Sequence, residues 1–145
     1  MQNGKWIHPG KQALHDLMPW FEEPLTFMAD LRDLRFQNNA LDFIADDRST
    51  SGLFRMARGS RSDHPIDLPW LDVDQAVLIA VNEHAGDDVV LALDYRTDST
   101  DPRVVAADIW TDPTQYSWRV VTPTFTDLLA ALQRAWSARP ALDPQ

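Results

Sequence analysis

The stretch that decides the fold is WLDVDQAVLIAVNEHAGDDVVLALDYRTDSTDPRVVAADIW at 70–110, followed by SWRVVTPTFTDLLAALQRAW at 117–136. Short apolar runs alternate with segments rich in Asp, Gly, Pro and Ser, which is typical of strands joined by turns. QAVLIAV at 75–81 is continuously apolar, as in a strand that is buried on both faces. The connections are too short for crossover helices, so this half predicts a four-stranded, mostly antiparallel meander.

The other three strands of the meander follow the first along the chain. VVLALDY at 89–95 has the period of a strand, in which one side would carry Val89, Leu91, Leu93 and Tyr95 and the other Val90, Ala92 and Asp94. A further strand is predicted in RVVAADIW at 103–110, and the last in SWRVVT at 117–122. On the strand at 103–110 one side is expected to carry Val105, Ala107 and Ile109.

A helix is predicted after the last strand, because five apolar residues have the spacing of one helical face. These residues are Phe125, Leu128, Leu129, Leu132 and Trp136. Two beginnings of this helix fit the sequence. Thr124 with Asp127 resembles a capping box, whereas Thr122 would instead cap a helix whose first residue is Pro123.

The N-terminal half predicts helices. Leu14 and Met18 indicate a short helix that ends before Pro19. Pro24 is expected to begin a second helix, and another helical turn or two is expected at 38–45. The apolar stripe of the second helix would consist of Leu25, Met28, Leu31 and Leu34.

Residues 46–69 mix Ser, Gly, Pro and Asp and predict loops around one short strand at 53–56. The whole pattern predicts an α+β fold. Its sheet would have four to six mostly antiparallel strands, packed by N-terminal helices and a C-terminal helix. One domain is expected over residues 1–139, with a loose tail at 140–145.

The composition is that of a globular domain with an acidic surface. The chain has 145 residues, no cysteine and a formal net charge of −9 at pH 7. Without cysteine, disulfides and thiolate chemistry are excluded. Residues 1–14 lack the pattern of a secretory signal, and no apolar stretch reaches the roughly 20 residues of a membrane-spanning helix. We therefore expect a cytoplasmic protein that binds neither membranes nor nucleic acid, since its charge repels phosphate.

The charge is unevenly distributed. Residues 1–62 hold eight acidic and eight basic residues, whereas residues 63–145 hold fourteen acidic and five basic ones. A basic cluster without an intervening acid consists of Arg48, Arg55, Arg58 and Arg61. These arginines either neutralise the acidic sheet or bind a separate anion. Neutralisation is favoured because the acidic half needs counter-charge nearby.

No catalytic or nucleotide-binding motif is present. None of the four histidines stands in a catalytic motif, and the five scattered glycines form no phosphate-binding loop. His84 has three acidic neighbours in NEHAGDD at 82–88, but the spacing matches neither an EF-hand nor a zinc site. We therefore predict no enzyme activity, no metal and no cofactor.

Carboxylates near the strand ends have two interpretations. In RTDSTDP at 96–102 the aspartates are ordinary turn formers, although paired carboxylates also serve acid/base chemistry or bind a divalent cation. Asp94 and Asp108 either face solvent or meet Arg96 and Arg103.

Acidic turns next to tryptophan are typical of protein-binding surfaces, because aromatic anchors supply affinity and charges supply association rate. Trp118 and Trp136 are expected in the core, whereas Trp110 stands at a strand end before a turn. The predicted partner-binding residues are Glu83, Asp87, Asp88, Asp98, Asp101, Trp110 and Asp112.

The order of these elements resembles a known superfamily. An aliphatic strand ends in Asp94-Tyr95, and a Pro-x-Val-Val strand follows at 102–105. Trp118 then begins a Trp-x-x-Val-x-Pro-x-Phe segment that leads into Leu128-Leu129. Over about residues 70–136 the chain resembles the SUKH superfamily, which includes a yeast cell-wall regulator and many bacterial proteins. MPWFEEPLTFM at 18–28 departs from the Leu-Pro-x-x-Tyr opening of that family.

The resemblance implies an α+β fold and, for bacterial members, immunity to a toxin that is often a nuclease. A nuclease site is basic, so an acidic protein can occupy it and be steered to it. We expect a cytoplasmic immunity protein that neutralises a cognate, basic toxin by stoichiometric binding. Two alternatives stay open. One is a regulatory or scaffold module that binds another protein, and the other is a small-anion-binding protein that uses the arginines at 48–61.

Overall fold

A computed structural model of the chain describes residues 11–19, 25–46, 67–69, 71–81, 89–108 and 117–138. Its main element is a five-stranded antiparallel sheet in which the strands follow one another in chain order. The strands are β1 (Thr26–Phe27), β2 (Ala76–Val81), β3 (Val89–Asp94), β4 (Arg103–Asp108) and β5 (Arg119–Thr122). The helices are α1 (Lys11–Leu17), α2 (Leu31–Asp46) and α3 (Phe125–Ser137). The predicted α+β class and the antiparallel meander from β2 to β5 are confirmed.

The sheet has an apolar core on each face. On one face α1 and α3 pack over the sheet, and Leu14, Leu91 and Leu128 are buried together there. The other face carries a second cluster that includes Leu71 and Trp118, with Leu34 of α2 packed against it. Truncating a fully buried leucine in such a core typically costs about 2–5 kcal/mol. Both clusters therefore contribute strongly to stability, and the central strands are apolar on both sides.

Two irregularities change which residues face each core. In the pairing of β2 with β3, Leu78 lies opposite Ala92 and Ala80 opposite Leu91, so Ile79 is an extra residue. Because of this bulge, Ile79 and Ala80 both belong to the core under α1 and α3. A second register shift between β4 and β5 leaves Val121 as an extra residue. Strict alternation along these strands is therefore broken.

A side chain of α2 continues the pairing of β2 beyond the short strand β1. The Met28 amide donates to the Ile79 carbonyl oxygen at 3.0 Å, which ends the β1 contact. Leu78 precedes Ile79 in β2, and its partner is the side chain of Asn38. The Asn38 side chain accepts from the Leu78 amide at 3.1 Å and donates to the Leu78 carbonyl oxygen at 3.3 Å. The Asn38 amide thus satisfies both backbone groups that a neighbouring strand would satisfy.

The prediction of a helix that begins at Pro24 is wrong. Residues 26–27 pair with β2 as β1, and Leu25 and Met28 are buried beside that strand. The second helix begins at Leu31 because Asp30 caps it, accepting from the amides of Arg32 at 2.8 Å and Asp33 at 3.0 Å. The segment at 38–45 is part of this same helix.

The positions of the first and last helices follow the predictions. Leu14 and Met18 are buried in and just after α1. Thr124 is the N-cap of α3 and accepts from the Asp127 amide at 3.0 Å, which selects the first of the two predicted beginnings.

The predicted core face of α3 is partly wrong. Leu128 and Leu132 are buried, whereas Leu129 is 36% exposed and Trp136 is 47% exposed. Successive residues of an α-helix are rotated by about 100°, and Leu128 and Leu132 face the sheet. Leu129 and Trp136 therefore lie together at one side of that buried face. Trp118, by contrast, is buried as predicted, at 2% exposure.

Several predicted segments lie outside the described residues. These are the arginine cluster at 48–61, the strand at 53–56, Ile109 and the tail at 140–145. Within the part of the chain that is described, no helix is long and apolar enough to cross a membrane.

Candidate protein-binding surface at one end of the sheet

Three segments that are distant in the sequence meet at one end of the sheet. The pairing of Ala76 with Asp94, and of Asp94 with Arg103, places the start of β2, the end of β3 and the start of β4 side by side. The Tyr95 amide also donates to the Gln75 carbonyl oxygen at 2.8 Å, which joins the 3-10 turn at Val73–Gln75 to the β3–β4 turn.

The junction between β5 and α3 lies at the same end. The amide of Thr126, in the first turn of α3, donates to the Asp101 carboxylate at 3.0 Å. We call this surface the acidic end; it is formed by Asp72, Asp74, Asp98, Asp101 and Asp127.

Asp98 organises the β3–β4 turn while it stays exposed. Its Oδ1 accepts from the Thr100 amide at 2.8 Å, the Thr100 hydroxyl at 2.8 Å and the Asp101 amide at 3.2 Å. These hydrogen bonds hold the pKa of the Asp98 carboxyl below its ordinary value. Asp98 is therefore a turn former, as the sequence suggests, and remains ionised at neutral pH.

Asp101 has a structural role as well. Its carboxylate accepts from the Thr126 amide, one of the amides that have no partner within the first turn of α3. An anion is also favoured at this position by the helix dipole. Asp101 thus attaches the β3–β4 turn to α3, and a substitution here would disturb the fold as well as any surface.

Beneath the acidic end lies a buried carboxylate held by two arginines. Asp94 is fully buried, and Arg96 and Arg103 are 10% and 19% exposed. Asp94 Oδ1 accepts from the Arg96 amide and Nε, at 3.1 and 2.8 Å. Its Oδ2 accepts from Arg96 Nη2 at 2.8 Å. The same oxygen lies 2.8 Å from Arg103 Nε and 2.7 Å from Arg103 Nη2.

Burial alone would raise the pKa of the Asp94 carboxyl. The hydrogen bonds from Arg96 and Arg103 outweigh burial and hold that pKa below its ordinary value. Of the two placements predicted for Asp94, the one with Arg96 and Arg103 is confirmed.

Asp108 is buried too, but its partner differs from the predicted arginines. Arg119 Nη2 lies 2.8 Å from Asp108 Oδ2, across the β4–β5 pair. Three arginines of the acidic half are therefore engaged with buried carboxylates. The acidic residues that remain exposed in this half include Asp67, Asp74, Asp98 and Asp127, whereas the exposed basic residue among those described is Arg134.

The acidic end includes two of the seven predicted partner-binding residues, Asp98 and Asp101. The other five lie outside the described residues: Glu83, Asp87, Asp88, Trp110 and Asp112. The strand ends from which those segments continue lie at the opposite end of the sheet, at Val81 and Val89 and at Asp108 and Arg119.

Asp72, Asp74 and Asp127 belong to the acidic end, although they are absent from the predicted set. They precede β2 and follow β5, so only the strand pairing brings them beside the β3–β4 turn. In the sequence, each resembles an ordinary residue at a helix start.

Metal-binding chemistry has no candidate in this part of the chain. Among the residues that the structure describes, no group of three or more His, Cys, Asp or Glu side chains is arranged to hold a metal ion. His84 and its acidic neighbours lie outside those residues.

Comparison of the chain with known protein families, with curated proteins and with solved structures found no match. The likeness to the SUKH superfamily therefore stays a prediction from the sequence.

Proposed function

We propose that this protein is a cytoplasmic, non-catalytic protein-binding domain that acts as a bacterial immunity protein. In this proposal it neutralises a basic cognate toxin by forming a stoichiometric complex. The observation that carries the proposal is that, within the acidic half at 63–145, three arginine side chains are paired internally whereas several acidic side chains are exposed. Arg96, Arg103 and Arg119 contact buried carboxylates, while exposed carboxylates collect at the acidic end.

This arrangement supports binding of a basic surface. Among the described residues of the acidic half, the exposed carboxylates outnumber the exposed basic residues, of which Arg134 is one. Such an excess produces a negative potential, which accelerates association with a positively charged partner. A nuclease or other toxin that acts on an anionic substrate has such a positively charged site. The turn at 96–102 is also held by Asp98, Asp101 and the buried Asp94 beneath it, so the surface is ordered before binding.

The first test is affinity capture from the native bacterium with a tagged chain, washed at low and then high salt. The captured proteins are identified by mass spectrometry, and the main partner is purified. Titrating the chain into that partner should abolish its toxic activity at a fixed molar ratio. A partner with no toxic activity, or one whose activity survives saturation with the chain, would favour the regulatory or scaffold alternative.

A charge-matched pair of variants tests the surface. D74N/D98N removes two carboxylates of the acidic end and keeps Asp101, which supports α3. D16N/D67N removes the same charge from exposed positions elsewhere. At low salt, D74N/D98N should slow association about twofold to fivefold, and the difference should fade near 1 M salt, where screening is strong. Equal rates for the two variants would show that the acidic end is not the interface.

A further inference from the structure

A second feature lies near the opposite end of the sheet from the acidic end. There α2 and β1 enclose a cleft of about 230 Å³. Its apolar lining consists of Phe27, Met28, Phe36 and Val81, and its polar lining consists of Thr26, Asp33 and Gln37. Phe27, Met28 and Val81 are buried, whereas Phe36 is 67% exposed. The cleft therefore has a fixed apolar floor and an aromatic side chain that is open to solvent.

The charge of the cleft is negative. Asp33 is the charged residue of its lining, and it is exposed to solvent. Arg32 and Arg35 are exposed on α2 but are not among the lining residues. Asp33 and Phe36 are three residues apart on the helix, so their side chains are neighbours on one face. A ligand that meets both must combine an apolar stem with a positive charge.

The size of the cleft selects among such ligands. At 230 Å³ it lies below the roughly 300–1,000 Å³ of typical small-molecule sites. It is suited to one long side chain. Arginine fits best because its aliphatic stem packs on apolar surface, while the planar guanidinium stacks on an aromatic ring and pairs with a carboxylate through two hydrogen bonds.

We propose that the cleft between α2 and β1 receives one arginine side chain of the basic protein partner. Its guanidinium contacts Phe36 and Asp33, and its stem lies over Met28 and Val81. This inference rests on the proposed function, because it takes the partner to be a basic protein. It adds a specific contact to the long-range attraction of the acidic end.

The cleft can be tested without the partner by following amide chemical shifts of the full chain during titration with n-butylguanidinium. The neutral isostere n-butylurea serves as the control at constant ionic strength. Butylguanidinium should shift the amides around residues 26–28 and 33–37 and bind more tightly than butylurea. Equal binding of the two compounds, or shifts confined to other regions, would overturn the proposal.

Variants give the second arm. F36A and D33N should each weaken butylguanidinium binding about threefold to fivefold. Leu31 is 68% exposed on the same helix and outside the lining, so L31A is matched to F36A, and D16N is matched to D33N. If the controls weaken binding as much as the cleft variants, the site is wrongly placed.

The purified partner separates this inference from the proposed function. F36A and D33N should accelerate dissociation of the partner complex by at least the same factor, because the contact is made after encounter. Unchanged dissociation with intact toxin neutralisation would reject the cleft and leave the function standing. Failure to neutralise any toxin would reject the function, and the butylguanidinium titration would still decide whether the cleft selects a guanidinium.

Discussion

Replacing Asp94 by alanine tests the buried charge cluster beneath the acidic end. The substitution removes a fully buried carboxylate and leaves the guanidinium groups of Arg96 and Arg103 beside each other, only 10% and 19% exposed. Breaking a buried ion pair by removing one partner typically costs about 3–5 kcal/mol. We expect the lower end of that range, about 3 kcal/mol, because both guanidinium groups retain some contact with water. That is a large part of the roughly 5–15 kcal/mol by which a domain is stable.

The assay is urea unfolding followed by tryptophan fluorescence at pH 7, with D74A as the control. Asp74 is exposed at the same end of the sheet, so D74A removes the same charge without uncovering a buried partner. D74A should change the free energy of unfolding by at most about 0.5 kcal/mol. In the double variant D94A/R103A, the loss should be smaller than the sum of the two single losses, because the residues contact each other.

Two results would refute this reasoning. One is a loss for D94A that equals the loss for D74A, which would mean that the arginines do not need the carboxylate. The other is strict additivity in the double variant, which would mean that Asp94 and Arg103 do not interact in solution.

Three other predictions concern stability. N38A should lower the free energy of unfolding by about 1–3 kcal/mol, because it leaves the buried amide and carbonyl of Leu78 without the Asn38 side chain. The control N39A, at the exposed neighbouring position, should not destabilise the protein. Equal effects of the two variants in urea unfolding would contradict the pairing of Asn38 with Leu78. T124A should cost about 1 kcal/mol through loss of the α3 cap, and thermal unfolding of T126A, whose side chain is exposed, gives the baseline. Folding lowers the pKa of the Asp94 carboxyl from its ordinary value of 3.8. The contribution of Asp94 to the free energy of unfolding is therefore complete above the pKa of the unfolded state, and it is lost as the pH falls through the pKa of the folded state. The stability difference between wild type and D94N should therefore shrink below about pH 4, and a difference that is constant from pH 7 to 3 would contradict this.

The sequence alone could predict the part of the fold that depends on local periodicity. β2 to β5 lie in the predicted runs, and Thr124 caps α3 as its spacing to Asp127 indicates. These predictions succeed because a strand or helix that covers a core must repeat its apolar residues with its own period. The same periodicity failed between Pro24 and Leu31. An apolar stripe fits a helix and a buried strand with its flanking residues almost equally well over so short a segment.

The candidate site was only partly predictable. Asp98 and Asp101 are in the predicted set because turn residues next to strands are exposed more often than buried. Their neighbours Asp74 and Asp127 come from other connections, and no pattern along the chain places three separate turns at one end of a sheet. The burial of Arg103 and Arg119 against carboxylates also depends on strand register, since a shift of one residue would turn these side chains to the opposite face of the sheet.

By itself, therefore, the sequence determined the fold class, the order of the C-terminal strands, the start of α3 and the acidic character of this half. Tertiary structure alone decided that Asn38 completes the edge of β2, that Trp136 lies on the flank of α3, and that Asp94 is buried while Asp98 is exposed. The physical reason is that periodicity orients a side chain relative to its own strand or helix. Burial and pairing depend on which other element lies against that side, and this is settled only when distant segments pack together.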